Sequence, residues 1–394
     1  MLDSSAIEDF RQDTRAWLAA NCPKGVRGPG ESPWGSSKIP LDRDSAVWLE
    51  RMAEKGWTVP TWPQIYGGAA LHRELYPVLV TELKRIQART PLTGRGVNYI
   101  GPTILELGTD AQKERWLPGI ARGEGGWAMG YSEPGAGSDL ASLSCQAVLE
   151  GDHYRINGSK IWTSDAMHCD YIFVLVRTAP DRTKHEGISL LLVDMHQDAV
   201  KVNPIQLLSG ASPFNETFFD NALARADDVI GGVNNGWTVG KRLLQFERST
   251  HAGINTSGSQ GGRDSASSLT QLVRAYATDG KIDGPLRRRL LNHQINHHAQ
   301  RLTQRRVIAE TATRAPGFAS SAVKLSNALT TQEGDEILIS AMGTQGVGWT
   351  GEGFQTNELD ATRDWLKQKS LTIAGGTKEV QLNIIAKRVL GLPD

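Results

Sequence analysis

The hydrophobic period of this chain changes twice along its length. Apolar residues recur at helical spacing before position 125, give way to short β-rich runs, and return to helical spacing after Asn234-Asn235-Gly236. A chain of 394 residues has room for roughly two or three domains of about 150 residues each. The pattern predicts an α+β protein with a helical N-terminal domain at 1–124, a mainly antiparallel β domain at 125–232 and a helical C-terminal domain at 233–394.

Several elements can be assigned individually. Helices are predicted at 44–56, 73–88 and 102–122, and strands at Gln146–Glu150, Tyr154–Ile156, Tyr171–Val176 and Ile188–Val193. Asn157-Gly158 is predicted to be a turn, because this dipeptide readily adopts the positive φ angles of a tight hairpin. The Gly- and Ser-rich stretch at 253–268 is interpreted as a connection rather than a site.

Composition narrows the classes of partner. Lysine plus arginine equals aspartate plus glutamate at 43 each, so no overall field favours nucleic acid or an acidic membrane surface. Cys22, Cys145 and Cys169 are scattered and odd in number, which indicates neither a disulfide framework nor a cysteine metal site and favours a reducing cytoplasm. Without a leader pattern or an apolar run of about 18 residues, neither secretion nor membrane spanning is expected.

The glycine-rich segment Tyr131–Asp139, YSEPGAGSD, is the first candidate site. Its glycines would let backbone amides approach a phosphate or a flat ring closely, although a plain turn has the same composition. The segment lacks the third glycine of GxGxxG and precedes a hairpin pattern instead of a helix, which disfavours a Rossmann site. Taken alone, the segment is weak evidence for a nucleotide.

Two further blocks change that interpretation. NGSKIWTSD follows at 157–165, and IAGGTKEVQLNIIAKRVLGLP lies near the C-terminus. Together with YSEPGAGSD, these blocks resemble the acyl-CoA dehydrogenase family, a group of FAD flavoenzymes, and the resemblance covers nearly the whole chain. It implies a helical domain, a middle β domain and a C-terminal four-helix bundle, assembled as a dimer of dimers that passes electrons to an electron-transfer flavoprotein.

The resemblance implies a flavin site in the middle domain. Four residues of the glycine-rich segment are expected to border FAD, namely Tyr131, Ser132, Gly137 and Ser138. Ser138 is also expected to reach the CoA portion of the substrate. Trp162 is expected to pack against the isoalloxazine, with Thr163 and above all Ser164 supplying a hydroxyl to the ring. The alternative is that Trp162 is a core residue, as a tryptophan in a strand usually is.

The catalytic base is the decisive question. Many members of the family carry a glutamate directly before the Gly-Thr of the C-terminal block, but Gly375 stands there in this chain. A minority carry the base on an earlier helix immediately before an arginine, and Glu247-Arg248 matches that arrangement. The resemblance therefore implies that Glu247 removes the α-proton of the thioester. Arg248, rotated about 100° further round the helix, points elsewhere and is expected to pair with a CoA phosphate or pyrophosphate.

Helical geometry favours the same residue. Val239, Leu243 and Ile254 mark an apolar stripe, and Glu247 follows Leu243 by one helical turn, roughly 40° away at 100° per residue. An acid there faces inward, and a desolvated carboxylate is a stronger proton acceptor than a solvated one. The alternative is that Glu247 and Arg248 form ordinary ion pairs on a helix surface.

The C-terminal block is expected to supply main-chain and cofactor contacts. The resemblance implies that the Gly375 N–H, with a ribityl hydroxyl of FAD, polarises the thioester carbonyl as in an oxyanion hole. It also implies FAD contacts from Thr377, Glu379 and the glycine-rich Gln345-Gly346. Independently, Thr377 is a plausible N-cap for the helix that follows.

Some features depart from the family pattern. An Arg-x-x-Phe motif that grips FAD across a subunit boundary in relatives is missing, and Arg287, Arg288 or Arg289 could replace its charge or form a solvated basic face. His293 and His297 are one helical turn apart but come with no third ligand, so no metal site is predicted. The departures resemble the branch that handles bulky, branched or ring-containing acyl groups, some of whose members pair with a distinct subunit.

The sequence therefore predicts an FAD-dependent acyl-CoA dehydrogenase that forms a trans-2-enoyl-CoA, as a cytoplasmic homotetramer, with a heterotetramer as the alternative assembly. Two alternatives stay open. One is a flavoenzyme of the same fold with oxidase, desulfinase or nitroalkane-type chemistry. The other is a subunit that completes the FAD site of a partner. The acyl pocket is expected between the segment 85–105 and the helix at 237–256. Arg95, Asn98 and Tyr99 in the first of these either recognise a polar substituent of the acyl group or are surface residues, and the surface interpretation is preferred.

Overall fold

The computed structural model describes residues 2–251, 266–277, 281–311 and 319–393. These residues form two compact units. The first contains the chain up to Ile205 together with Pro213–Phe246, and the second contains Gln206–Ser212 and the described residues from Glu247 onward. Ile254 and nearly all of the Gly- and Ser-rich stretch at 253–268 lie outside the described residues. No helix within the described ranges is long and apolar enough to cross a membrane.

The first unit begins with five helices. They are α1 Ser4–Asn21, α2 Arg43–Glu54, α3 Tyr76–Arg85, α4 Gly101–Leu107 and α5 Asp110–Arg122. The single helix predicted at 102–122 is two helices, because Thr109 and Gln112 form a reciprocal capping box that starts α5 after an extended Gly108. A tryptophan-rich core cluster containing Trp48 and Trp57 packs among the first three helices.

An eight-stranded sheet follows. Its strands are β1 Trp127–Gly130, β2 Gln146–Glu150, β3 His153–Ser164, β4 Tyr171–Arg177, β5 Ile188–Asp194, β6 Val200–Ile205, β7 Phe214–Arg225 and β8 Val229–Ile230. The strand order is β6-β7-β3-β2-β4-β5-β8, with β1 beside β4. Pairing is antiparallel except for β1 with β4 and a single parallel contact of β2 with β4.

The turn predicted at Asn157-Gly158 is wrong. Both residues lie inside β3, where the pairing with β7 shifts register between Ile156 and Asn157. Gly158 has a φ of +139°, and a Cβ there would come within 2.8 Å of the Cys145 backbone. The dipeptide therefore forms a bulge in a long strand, which local sequence cannot distinguish from a hairpin turn.

The central strands are buried on both faces. Phe173 and Leu175 of β4 belong to a core cluster that also contains Ile104 and Leu117 of the N-terminal helices. Between them, Val174 faces a second cluster on the other side of the sheet. A continuous apolar run, rather than an alternating one, is the pattern expected of such a doubly covered strand.

The C-terminal part is helical. Its helices are α6 Gly236–His251, α7 Ala266–Ala275, α8 Gly284–Thr311, α9 Ala319–Met342, α10 Thr356–Gln368 and α11 Lys378–Ile384. Helix α6 begins in the first unit and ends in the second. In the second unit, Leu269, Leu290, Ile337, Met342 and Ala361 pack into one core cluster from α7, α8, α9 and α10.

Glu82 of α3 is the electrostatic centre of the N-terminal helices. Its buried carboxylate accepts hydrogen bonds from Arg15 and Arg85 at 2.8 Å and from Arg11 at 3.3 Å. The hydrogen bond from Arg15, followed by those from Arg85 and Arg11, lowers the pKa of Glu82 from 4.5 to about 2, against the opposing effect of burial.

We expect Glu82→Gln to destabilise the first unit by about 2 kcal/mol at neutral pH. A depressed pKa contributes stability that is complete above pH 4.5 and is lost as the pH falls towards about 2. Urea unfolding followed by tryptophan fluorescence should therefore show a gap between variant and unmutated protein that narrows as the pH falls from 6 towards 3. A gap that stays constant over this range would contradict the assignment.

Candidate active site

The loop Tyr131–Asp139 follows β1 and is tied to β3. The Ile161 N–H donates to the Ser132 carbonyl at 2.9 Å, and Lys160 Nζ donates to the Tyr131 carbonyl at 3.1 Å. Glu133 and Ala136 exchange two backbone hydrogen bonds of 3.0 Å, which close the tip of the loop. Two of the predicted blocks, distant in sequence, are therefore adjacent in the first unit.

A buried ion pair holds the two blocks together. Lys160 Nζ lies 2.7 Å from Glu133 Oε1, and the two side chains are 0% and 5% exposed. Glu133 also accepts hydrogen bonds from the N–H groups of Ser144 and Cys145. Burial raises the pKa of Glu133, but the charge and hydrogen bond of Lys160 and these two N–H donors more than offset it and leave the pKa below its ordinary value.

Trp162 is not a core residue. Its side chain is 53% exposed, and its φ of +60° is one that a bulky residue adopts only at a cost of about 1–3 kcal/mol. The cause is a register shift between Lys160 and Thr163 in the pairing of β3 with β7. The alternative interpretation, in which Trp162 is a core residue, is therefore wrong. Among aromatic neighbours in the described chain, its exposed ring contacts only the edge of Phe214.

The two hydroxyls after Trp162 differ. Thr163 is fully buried, and its Oγ1 bonds to the Asn215 carbonyl at 2.7 Å and to the Thr217 hydroxyl at 2.9 Å. A contact between Thr163 and a cofactor would therefore come from its main chain. Ser164 is only partly buried and ends the strand, so its hydroxyl is the better candidate for a flavin contact.

The glycines of the loop leave open space. A Cβ at Gly135 or Gly137 would meet nothing within 4 Å, and Ser138 is exposed. An exposed aromatic in a strained conformation, an open glycine loop and nearby hydroxyls form a donor set that fits a flat, phosphate-bearing cofactor. The residues of the first unit thus fit the flavin that the sequence resemblance implies.

The second unit contains the candidate catalytic pair. Glu247 is 7% exposed, which confirms its predicted inward orientation on α6. A Cβ at Gly375 would lie 3.9 Å from Glu247 Oε1, so the two positions that carry the base in different branches face one space. The Gly375 N–H donates no hydrogen bond to another described residue.

The other predicted residues of this unit have mixed surroundings. Thr377 caps α11 by accepting a hydrogen bond from Val380 N–H at 3.2 Å, which confirms the predicted N-cap. Glu379 is exposed in the first turn of that helix. Gln345 is partly buried, and Gly346 is required by close packing, because a Cβ there would lie 2.8 Å from the Ile339 carbonyl.

The basic and histidine residues of α8 have different surroundings. Arg289 pairs with Glu333 at 2.9 Å, whereas Arg287 and Arg288 are exposed. His293 is buried, and burial lowers its pKa, with the nearby His297 acting in the same direction. No group of three or more metal-binding side chains occurs in the described part of the chain.

Three further candidates need comment. The backbone of Arg248 continues α6, but its side chain lies outside the described residues. Asn98 and Tyr99 are 8% and 9% exposed on a short π-helix at Gly96–Ile100, so their interpretation as surface residues is wrong. Arg95 pairs with Asp165 at 3.3 Å, just beyond Ser164.

Sequence reasoning missed the role of Glu133. The sequence assigns Glu133 to the glycine-rich segment and Lys160 to the block NGSKIWTSD, but nothing in the two local patterns pairs them. The available signal was a carboxylate in a loop of small residues together with a lysine in an apolar strand, since a buried lysine needs a partner.

Comparison with known proteins agrees with this arrangement. The acyl-CoA dehydrogenase N-terminal domain matches residues 6–124, the middle domain 128–222 and the C-terminal domain 234–390. The acyl-CoA dehydrogenase IpdE1 of Mycobacterium tuberculosis is 36% identical over 394 residues, covering 98% of each chain.

Solved structures give the same result. The Tcur3481-Tcur3483 steroid ACAD superposes with a TM-score of 0.74 at 28% identity, over 100% of this chain and 99% of that one. The ChsE4-ChsE5 complex of Mycobacterium tuberculosis has a TM-score of 0.71 at 27% identity, over 100% and 99%.

The fold and the matched domains define a flavoprotein-type oxidoreductase that acts on acyl-CoA. The chain belongs to the acyl-CoA dehydrogenase family. The predicted family and its fold, with a helical N-terminal part, a middle sheet and a C-terminal helical bundle, are confirmed.

We expect Lys160→Met to lower the free energy of unfolding of the first unit by about 3–5 kcal/mol, because it leaves the Glu133 carboxylate buried without its counter-ion. The double variant Lys160→Met with Glu133→Gln should recover part of the loss. Arg155 on the same strand pairs with Glu150 at the surface, so Arg155→Met is a matched control with an expected loss of about 1 kcal/mol or less. Equal losses of unfolding free energy for Lys160→Met and Arg155→Met in chemical denaturation would show that the buried ion pair does not hold the two blocks together.

Proposed function

We propose that this protein catalyses the FAD-dependent α,β-dehydrogenation of an acyl-CoA thioester to a trans-2-enoyl-CoA, with Glu247 as the base. The observation that carries the proposal is the buried Glu247 carboxylate facing the space beside Gly375. A base must be within reach of its proton and shielded from bulk water, and an inward carboxylate beside a residue without a side chain meets both needs.

The chain's own residues have distinct roles in this reaction. Glu247 takes the α-proton, and the Gly375 N–H donates a hydrogen bond to the thioester carbonyl, where negative charge develops. The β-hydrogen leaves as a hydride, which is the chemistry that FAD supplies when it is bound. Tyr131, Ser132, Gly137 and Ser138, with Trp162 and the 163–164 segment, would hold the cofactor in the first unit. Gln345, Gly346, Thr377 and Glu379 are the proposed FAD contacts of the second unit, and Ser138 and Arg248 are the proposed contacts with CoA.

We expect Glu247→Gln to slow reduction of the flavin by substrate about 10²- to 10⁴-fold, because the amide is close in size but cannot accept the proton. Anaerobic stopped-flow absorbance measures this rate directly. Glu358→Gln is a matched control, since Glu358 is also buried in the second unit, at 6% exposure, and accepts hydrogen bonds from Tyr276 and Gln355. If both variants reduce as fast as the unmutated protein, Glu247 is not the base.

Moving the carboxylate from position 247 to position 375 tests the same assignment by recovery of activity instead of its loss. Glu247→Gly with Gly375→Glu places an acid on the other side of the same space and should reduce at least about tenfold faster than Glu247→Gly alone. The recovery should be partial, because Gly375 has a φ of +64°, a conformation that strains any L side chain.

The substrate class we propose is a bulky, ring-containing acyl-CoA. Its support is the departure from the common family pattern at Gly375 together with the similarity to a protein titled a steroid ACAD. Anaerobic titration with straight, branched, dicarboxylic and polycyclic acyl-CoAs should bleach the flavin band most strongly with the polycyclic compounds. Preferential bleaching by straight-chain acyl-CoAs would exclude this class.

For electron transfer and assembly, we propose an electron-transfer flavoprotein as acceptor and a homotetramer or heterotetramer in the cytoplasm. The similarity to the ChsE4-ChsE5 complex supports the heteromeric option, and three buried free thiols suit a reducing compartment. Purification distinguishes a self-sufficient enzyme from a subunit that only completes a partner's FAD site, because a yellow, FAD-saturated homotetramer argues against the second role. Rapid oxygen consumption by the reduced protein would favour an oxidase instead.

A further inference from the structure

Lys324 of α9 makes an unusual pair of contacts for a lysine. Its side chain is partly buried, and Nζ donates to the Leu371 carbonyl at 3.1 Å and to the Gly376 carbonyl at 2.7 Å. A lysine normally keeps its ammonium group in water, so burying it against two main-chain carbonyls has a solvation cost that the two charge-assisted hydrogen bonds must offset. The contacts connect α9 to the segment 371–376.

That segment ends in a turn with little conformational freedom. Gly375 and Gly376 have φ angles of +64° and +92°. The Gly376 carbonyl is held by Lys324, and the Gly375 carbonyl accepts a hydrogen bond from Gln381 Nε2 at 3.1 Å. Gln381 is 1% exposed. The Gly375 N–H belongs to the peptide plane between Ala374 and Gly375. The planes on both sides of it are held, because the Ala374 N–H donates to the Ser370 carbonyl at 2.8 Å and the Gly375 carbonyl accepts from Gln381, which restricts the direction of the Gly375 N–H.

The same lysine lies beside the candidate base. A Cβ at Gly375 would lie 3.8 Å from Lys324 Cε and 3.9 Å from Glu247 Oε1, so all three residues border one small space. Burial lowers the pKa of Lys324, and the negative charge of Glu247 opposes that shift. The lysine therefore acts on both functional groups of the second unit, by hydrogen bonds on the turn and by charge on the carboxylate.

We propose that Lys324 is a positioning residue. It holds the Gly375 N–H and the Glu247 carboxylate in the relative positions that proton abstraction from the substrate requires. The proposal rests on the function proposed above. Lys324 needs no contact with substrate for this role. A small displacement of the turn would move the Gly375 N–H, which binds the thioester carbonyl, away from the base Glu247. Misplacements of about 1 Å can lower the rate about 100-fold.

The test compares Lys324→Met, Lys324→Arg and Gln332→Met in the full-length flavoprotein. Gln332 of α9 is the matched control. Its Nε2 also donates to two main-chain carbonyls, Gln368 at 2.9 Å and Lys369 at 3.2 Å, just before the segment 371–376, and to the Thr372 hydroxyl at 3.4 Å, but it carries no charge. The first measurement is flavin reduction by the acyl-CoA that bleaches the unmutated protein most strongly. The second, which is independent of turnover, is hydrogen–deuterium exchange at residues 373–381, followed in a peptide that begins at position 370 or earlier so that the amides of Ile373 and Ala374 keep their label.

We expect Lys324→Met to lower the limiting reduction rate about 10- to 100-fold while the dissociation constant of the acyl-CoA changes by less than about threefold. Lys324→Arg should restore most of the rate, because it keeps the charge and the donors. Exchange should quicken at the amides of Ile373 and Ala374, which bond to the Ser370 carbonyl at 2.9 and 2.8 Å. Gln332→Met should leave the rate within about twofold.

Several outcomes overturn the proposal. Unchanged reduction and unchanged exchange in Lys324→Met would do so, as would an equal loss of rate in Gln332→Met. If Lys324→Met does not fold, Lys324→Gln, which keeps one donor, replaces it with the same criteria. Failure of the proposed function is distinguishable, because no acyl-CoA would then bleach the unmutated protein. In that case, the exchange measurement still tests whether Lys324 holds the turn. Faster exchange at 373–381 in Lys324→Met but not in Gln332→Met supports that role, and equal exchange in the two variants rejects it.

Discussion

The buried ion pair between Lys160 and Glu133 is the interaction on which the architecture of the first unit most depends. A charge without solvent is tolerated only when it is paired and hydrogen-bonded, and here each partner has further contacts with the main chain. The pair fixes the glycine loop after β1 against β3. It therefore determines where the loop lies relative to Trp162, whose exposed ring and positive φ follow from the bulge that begins at Lys160.

A comparable arrangement recurs in the second unit on a different scaffold. Lys324 contacts two carbonyls of the turn that carries Gly375, and Gln381 fixes a third. In both units a buried or partly buried lysine holds a glycine-containing turn in place. Glycine allows close approach and unusual φ angles, but it does not select one conformation, so a firm external contact has to do so. Loops that carry function are commonly held by rigid scaffolds for this reason.

The strand boundaries show what local pattern can predict. Strand β2 was predicted at Gln146–Glu150 and has those bounds, because an extended, turn-flanked run has few alternatives. Strand β3 was predicted to end at Ile156 but continues to Ser164, since its bulged, twelve-residue course is stabilised by pairing with β7, which is distant in sequence. The helix predicted at 102–122 is divided by a capping box. Its Thr109 and Gln112 have the three-residue spacing of that motif, so this division is encoded in the local sequence.

By itself, the sequence determined the order of helical and β parts, the inward orientation of Glu247 and the N-cap at Thr377, because periodicity and capping act within a few residues. Its motifs also identified the family. Only the tertiary structure decided that Glu133 pairs with Lys160, that Trp162 is exposed, and that Lys324 holds the turn beside Glu247. These contacts join residues far apart in the chain, and their energies depend on burial and on backbone conformation, neither of which a local pattern contains.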